Sequence, residues 1–362
     1  MKPIHVLAPL ALAAASPLSA QEQTGDADGS APAEWSFYAE NDLFDLFGDN
    51  SDSFYTNGLR LERMRERDAA SATILFGIEA EAVCRIVCNA DASGVAVATG
   101  WAVGQNIYTP ENARIAEPQP NDRPWAGLLY YSSMVRMRYR DPDLNVGRED
   151  KVEISLGVTG PPSLAEAVQR SWHTDVLGIY DPAGWDNQIK TEPIFQIGSH
   201  TALRLAPNES EHFDFIPRLK ANLGNAKVSL EGEAKVRAGV NLRGFGADII
   251  SVPVASPYDE PVERPSELVG RGKPMFAVFL RGGMKAVAHD ILLDGNTFAN
   301  NDIRIDRRPF VPEWAAGFEF EIGALRFAYQ YIERGSEFET RNGTKGGRHK
   351  FGSFTVGLTT RR

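Results

Sequence analysis

After its first twenty residues the chain has no uninterrupted apolar run of the roughly eighteen residues that a membrane-crossing helix needs. It carries only two cysteines, so no dense disulfide framework holds it together. It has no basic tract, and its formal net charge of -10 argues against nucleic acid as a partner. There is no Gly-Xaa-Ser-Xaa-Gly elbow, no His-Glu-Xaa-Xaa-His and no glycine-rich phosphate loop, so common hydrolase, zinc-protease and nucleotide-binding readings lose support. With helical spans excluded, two classes remain: a soluble exported protein, or a closed β-barrel in an outer membrane.

Export is read from the first twenty residues. Lys2 gives a positive start, Val6 to Ala15 is apolar, and Leu18-Ser19-Ala20 ends on a small residue before Gln21. This three-part pattern is that of a secretory signal peptide. Residues 21–34 read as a flexible polar segment and 35–362 as a single domain. Cys84 and Cys88 are four residues apart, and an oxidising compartment permits a local disulfide staple. A metal pair is the alternative, although no histidine lies nearby in sequence.

The domain reads as strands. Runs with period two occupy 36–44, 54–65, 71–76, 95–107, 127–140, 151–160, 195–205, 213–222, 226–242, 275–286, 314–322, 325–333 and 350–358. The run 71–76 is the shortest and the first to be discounted, which leaves about twelve strands, an even number suited to an antiparallel barrel. Phe318, Phe320 and Ile322 alternate with Glu319 and Glu321, and Glu231, Glu233, Lys235 and Arg237 share one face. An apolar exterior and a charged interior produce this pattern. So does a soluble sandwich with one wet face, but several runs are long enough to cross a bilayer at a tilt. The chain ends Thr359-Thr360-Arg361-Arg362, without the aromatic terminus common in such barrels.

One segment is helical. Ser163 is placed to cap a helix from Leu164, with Glu166 completing a capping box. Leu164, Val168, Trp172 and Val176 recur at helical spacing, and Gly178 ends the run. Histidine as a residue type can serve as a general base near neutral pH, but His173, near the end of this run, is weak evidence alone. Asn41 and Asp42 close the first strand, ahead of Asp45, Asp49 and Asp52; they suit an oxygen-seeking cation such as calcium, or simply form a solvated acidic loop. Thr56 opens the second strand, facing the interior if that strand is continuous. The segments 105–127 and 180–193 read as long functional loops. Trp125, Tyr130, Tyr131 and Trp185 are candidates for an acyl-chain groove or for interfacial anchors.

Taken together, AENDLF (39–44), FYTNGLR (54–60), GQNIYTP (104–110), NDRPWAG (121–127), GPP (160–162), His173 and GWDNQI (184–189) resemble the outer-membrane lipid A 3'-O-deacylases. The match is ordered over residues 35 to about 195; later strands match by pattern alone. The resemblance implies a transmembrane antiparallel β-barrel of about 12 strands with a short helix in a long loop, integral to the outer membrane. It implies calcium-dependent ester hydrolysis of lipid A in lipopolysaccharide, with outer-membrane lipids as surroundings. Carried over, Asn41 and Asp42 match the Asn-Asp pair, with Asp42 beside the metal. Thr56 matches the threonine and His173 the histidine. The family's lysine has no counterpart in PENARIAEP; Arg114 is the nearest basic residue and not a drop-in substitute. Alternatives at this stage are a phospholipase-type hydrolase and a non-catalytic barrel. A closed barrel implies a monomer by default.

Overall fold

The computed structural model describes residues 33–44, 54–89, 94–206, 211–246, 273–300, 303–340, 343 and 346–360, giving the backbone alone at 43 and 54–56. The proposed signal peptide, most of the polar segment after it, and Asp45, Asp49 and Asp52 lie outside the described residues.

Alternating sequence becomes one closed sheet of twelve antiparallel strands. These are β1 (Ala33–Asn41), β2 (Phe54–Arg67), β3 (Ala96–Thr109), β4 (Ala126–Arg140), β5 (Gly147–Thr159) and β6 (Pro193–Arg204). They continue as β7 (Phe213–Gly224), β8 (Lys227–Val240), β9 (Met275–Asp290), β10 (Phe310–Ile322), β11 (Leu325–Arg334) and β12 (His349–Thr360). Each pairs with its sequence neighbour, and β1 closes on β12 with Ala33 opposite Thr360 and Asn41 opposite Gly352. Closure satisfies every ladder without an edge, which a lipid-facing sheet requires. The soluble-sandwich alternative is thereby excluded. Both ends of the barrel chain, Ala33 and Thr360, lie at one rim; this is called the terminal end below.

Two boundaries differ from the sequence expectation. Strand β1 starts at Ala33 and stops at Asn41, because Asp42–Phe44 winds into a 3-10 turn. The run 71–76 is not a barrel stave: Thr73–Ile74 pairs with Ile78–Glu79, and the chain then enters helix α1 (Ala80–Val87). This helix buries Ala80, Val83 and Cys84 against Val135, Met137 and Tyr139 on the outside of β4. Cys84 and Cys88 are joined in a disulfide across its last turn. A loop this short constrains the unfolded chain by about 2 kcal/mol. Reduction is therefore expected to speed amide exchange in α1 while leaving the barrel ladders protected, as exchange mass spectrometry would read.

The two faces of the wall meet different solvents. Outward residues such as Leu219, Leu223, Phe276, Leu280 and Ile322 are exposed to the space that lipid fills. Trp35, Arg63 and Trp101 are aligned across β1, β2 and β3 near the terminal end. The two indoles meet edge-on at 5.8 Å and the guanidinium lies over Trp35 at 5.4 Å, as expected of interfacial anchors. Trp314 and Tyr331 stand 5.4 Å apart toward the opposite end.

Inward residues are mostly charged and paired. Arg60 bonds Glu62 and Glu153; Arg237 bonds Asp214 and Glu319; Arg281, Lys285 and Arg334 all bond Glu313. Leu242–Gly246 folds back into the mouth at the terminal end, where Arg218 donates to the Phe245 carbonyl at 2.6 Å. Among the described residues the lumen is thus filled by side chains, which counts against an open pore.

Candidate functional site

The segments quoted from the sequence gather at the end opposite the termini. Helix α2 (Ala165–Ser171) continues into a wider π turn, Trp172–Leu177, and ends at Gly178 in the left-handed region. Its start corrects the capping-box expectation. Pro161–Ser163 forms a 3-10 turn, Leu164 precedes the helix at φ 61°, and no side chain caps it. Glu166 instead pairs with Arg170 at 3.2 Å.

Along the apolar stripe Leu164 and Val176 are exposed and Val168 and Trp172 half-buried, whereas Ala165, Gln169 and His173, spaced four apart, turn inward. The helix is held over β3 and β4 by close approach. Gln105 on β3 donates to the Ser163 carbonyl at 2.6 Å, and a Cβ at Gly127 would lie 2.3 Å from that of Ala165. Only glycine at 127 lets the helix sit this low.

His173 is 2 % exposed. Its Nδ1 lies 3.2 Å from the Tyr180 main-chain oxygen. A carbonyl only accepts, so Nδ1 carries the proton and Nε2 is the basic nitrogen of the neutral ring. The Tyr180 ring meets the imidazole edge-on at 4.9 Å, and the Arg114 guanidinium lies over that same tyrosine at 4.1 Å. Tyr180 therefore joins two of the expected residues, His173 and Arg114, although they are far apart in sequence.

Asn41 and Asp42 are buried at the top of β1. Asn41 is opposite Asn57 on β2 and Gly352 on β12. Thr56 is adjacent: the ladder between β2 and β3 skips from Tyr55 to Asn57, leaving Thr56 at a bulge. Strand β2 itself runs on from Phe54, as expected, and the bulge lies in its pairing with β3, as is frequent beside functional sites. The five expected residues form two groups at one barrel end: Asn41, Asp42 and Thr56 over β1 and β2, and His173 with Arg114 in the loops beyond β3 and β5. Asn41 and Asp42 offer oxygen donors of the kind calcium takes. Among the described residues, however, no cluster of three or more His, Cys, Asp or Glu suits a metal. The donor chemistry fits part of a calcium shell.

The loops that carry these residues share a core. Trp125 and Trp185 pack at 5.0 Å, and the Trp185 indole donates to Gln169 at 2.8 Å. Gly184 lies so close to the Trp125 indole that a Cβ would approach to 2.5 Å. Ala183 N donates to Ala113 O, and Ile189 N to Trp125 O. Both tryptophans are buried here, and Trp125 also borders a cavity of about 240 Å³ between the loops. Tyr130 faces the lumen near Arg60, whereas Tyr131 projects outward, as an interfacial residue does.

Sequence reading missed two devices. Arg123, inside NDRPWAG, is buried over the Tyr108 ring at 4.3 Å and pairs with Glu337 at 3.4 Å. Glu337 also meets Arg334 at 3.6 Å and His349 at 3.2 Å. Burial pushes the Glu337 carboxyl up, but the charges of Arg334 and Arg123 hold it well below the carboxylate range. An arginine inside a motif was the available signal; its partner, more than two hundred residues away, gave none.

The second device is Glu192. Its carboxylate accepts from the backbone N–H groups of Thr297, Phe298 and Ala299 and from the Asn225 amide. Burial raises its pKa, but those donors outweigh burial and leave it below the usual value. Such a group stabilises fully above its unfolded pKa, and the gain disappears as pH falls through the depressed folded value. Below about pH 4 the loop at 297–299 is expected to loosen. Amide exchange at those three residues would rise on acidification, and Glu192→Gln would raise it already at neutral pH.

A closed barrel with an apolar outer face and a charge-filled interior defines an integral outer-membrane protein. The chain belongs to the family described as outer membrane protein LpxR, whose model matches residues 6–360. The family assignment supports a lipid-acting outer-membrane enzyme in general. LpxR from Salmonella typhimurium is similar in structure at a TM-score of 0.64 and 17% identity, covering 90% of this chain and 99% of that one. The β domain of the Bordetella autotransporter BrkA overlaps at a TM-score of 0.40 and 12% identity, covering 92% of this chain and 99% of that one. No curated protein sequence matched the chain.

Proposed function

We propose that this chain is a calcium-dependent ester hydrolase that removes the 3'-linked acyloxyacyl chain of lipid A, with the candidate site facing outward. The observation that carries the reading is the fixed tautomer of His173. Its Nδ1–H points at the Tyr180 carbonyl, which leaves Nε2 as the base. Nε2 takes a proton from water as the water oxygen bonds to the ester carbonyl carbon. The tetrahedral adduct then breaks the carbon–oxygen ester bond, and the imidazolium returns the proton to the sugar alkoxide. A fatty acid and a free 3'-hydroxyl result.

Asn41 and Thr56 position the water or the ester, and Asn41 can alternatively orient the imidazole. Asp42 is the residue that would hold calcium, whose charge, when bound, offsets the developing oxyanion. Arg114, stacked on Tyr180, offers a guanidinium at the exposed edge of the site for a lipid phosphate.

The test uses the barrel folded in detergent and defined lipid A, with and without calcium, followed by mass spectrometry. Calcium-dependent loss of a 3'-linked acyl group is the expected result. Fatty acid released only from phospholipid would replace the substrate assignment, and no hydrolysis of either lipid would overturn the reading.

A further inference from the structure

We infer that the cavity at the terminal end of the barrel is a binding site for a phosphate-bearing anion. This inference stands apart from the candidate catalytic site, which occupies the opposite rim. The cavity measures about 470 Å³. Among the described residues four arginines, Arg136, Arg138, Arg140 and Arg204, line its inner wall, against one carboxylate, Glu66; Arg148 borders it, but its guanidinium is turned outward to Asp150, Asp141 and the Val87 carbonyl. The four come from β4 and the end of β6, while Glu66 on β2, Ala96–Ala98 on β3 and Gly147 on β5 complete the wall, so five consecutive strands meet at one space.

The arrangement differs from the lumen above it, where acids and bases interleave. Here the acids stand behind the bases. Arg136 bonds Glu34 at 3.2 Å, Arg138 bonds Glu149 at 2.7 Å and Arg204 bonds Asp214 at 2.8 Å. Those three carboxylates are buried and absent from the lining. Their effect is to fix the guanidinium planes before any ligand arrives. Such preorganisation lowers the entropic cost of binding.

The floor is equally fixed. Arg204 also donates to the Leu242 carbonyl at 2.8 Å, and Gly244 and Phe245 close the cavity toward the lumen. Gly94, Gly147 and Gly244 leave main chain at the wall without side-chain bulk. Several guanidinium forks around one space suit a phosphate, whose oxygens accept paired N–H bonds. With the candidate site facing outward, this mouth faces the periplasm. The phosphate is then either that of a lipid headgroup or that of a soluble ester.

Titration calorimetry on the folded full-length barrel in non-ionic detergent tests the inference. The probes are inorganic pyrophosphate and, separately, monomeric dihexanoyl phosphatidylglycerol, with sulfate at matched ionic strength. Saturable binding of one pyrophosphate or one lipid per barrel, tighter than sulfate, is expected. Arg140→Glu tests the cavity at its exposed edge, where Arg140 donates to the Asn145 amide oxygen. It should weaken binding by about tenfold or more. Arg138→Lys keeps a charge beside Glu149 but loses the fork, and should weaken binding too. Arg348→Glu, exposed at the other rim, should not.

Binding of pyrophosphate and lipid alike would identify the phosphate group alone as the recognised element. Binding of the lipid alone would identify the headgroup. No saturable binding, or affinity unchanged by Arg140→Glu, would overturn the inference. Affinity equal to that of sulfate would mean an adventitious ion only, and would overturn it as well.

Discussion

His173→Ala is expected to lower ester hydrolysis by about 10²- to 10⁴-fold, the range that a positioned general base contributes. The ring is buried, yet its removal costs the fold little. The helix that carries it is held by Ala165 beneath Gly127 and by the Gln169–Trp185 bond, neither of which involves the imidazole. The Tyr180 carbonyl loses one partner, a cost of about 1–3 kcal/mol if it stays dry. Barrel closure, which depends on distant ladders, should survive. Released fatty acid measured by mass spectrometry, together with the heat-dependent gel shift of the folded barrel, separates the two effects. Undiminished turnover in a folded variant would remove His173 from the mechanism.

Glu313→Ala should be the most damaging change in the wall of the barrel. One carboxylate accepts from Arg281 at 2.9 Å, Lys285 at 2.9 Å and Arg334 at 2.7 Å, all inside the lumen. Each cation keeps a second acid: Glu233 for Arg281, Glu231 for Lys285 and Glu337 for Arg334. None of those acids is spare, because each already serves further cations. Breaking a buried pair on one side typically costs about 3–5 kcal/mol, since charge is left uncompensated. The urea midpoint of the barrel in micelles should fall accordingly, with Glu313→Gln between the two. A loss below about 1 kcal/mol, the scale of a surface pair, would show that water reaches this network freely.

The site was only partly legible in the sequence. Asn41, Asp42 and Thr56 were read correctly as lying at strand ends, because a strand end is marked by loss of local alternation. His173 was read as helical, and it is. Its burial was not legible: Leu164 and Val176, the ends of the apolar stripe, are exposed, Val168 and Trp172 are half-buried, and the fully buried positions are Ala165, Gln169 and His173. Helical periodicity identifies an apolar face but not the medium it meets, and at the rim of a membrane protein that medium need not be a protein core. The mutual packing of Trp125 and Trp185 was not legible for a related reason. An aromatic in a long loop has no periodic context, and only the packing of loop on loop shows that the two indoles meet.

By itself, the sequence determined the barrel: the strands, the charged inward face and the outward apolar face. Each follows from a period of two, a local property that survives whatever the distant chain does. The tertiary structure alone decided that Tyr180 ties His173 to Arg114, that Arg123 locks onto Glu337, and that four arginines share one cavity at the terminal end. The first two pairings join residues from separate loops, and the cavity gathers arginines from β4 and β6, with β5 between them. Curvature and closure of the wall create them, and no local pattern in the chain encodes either.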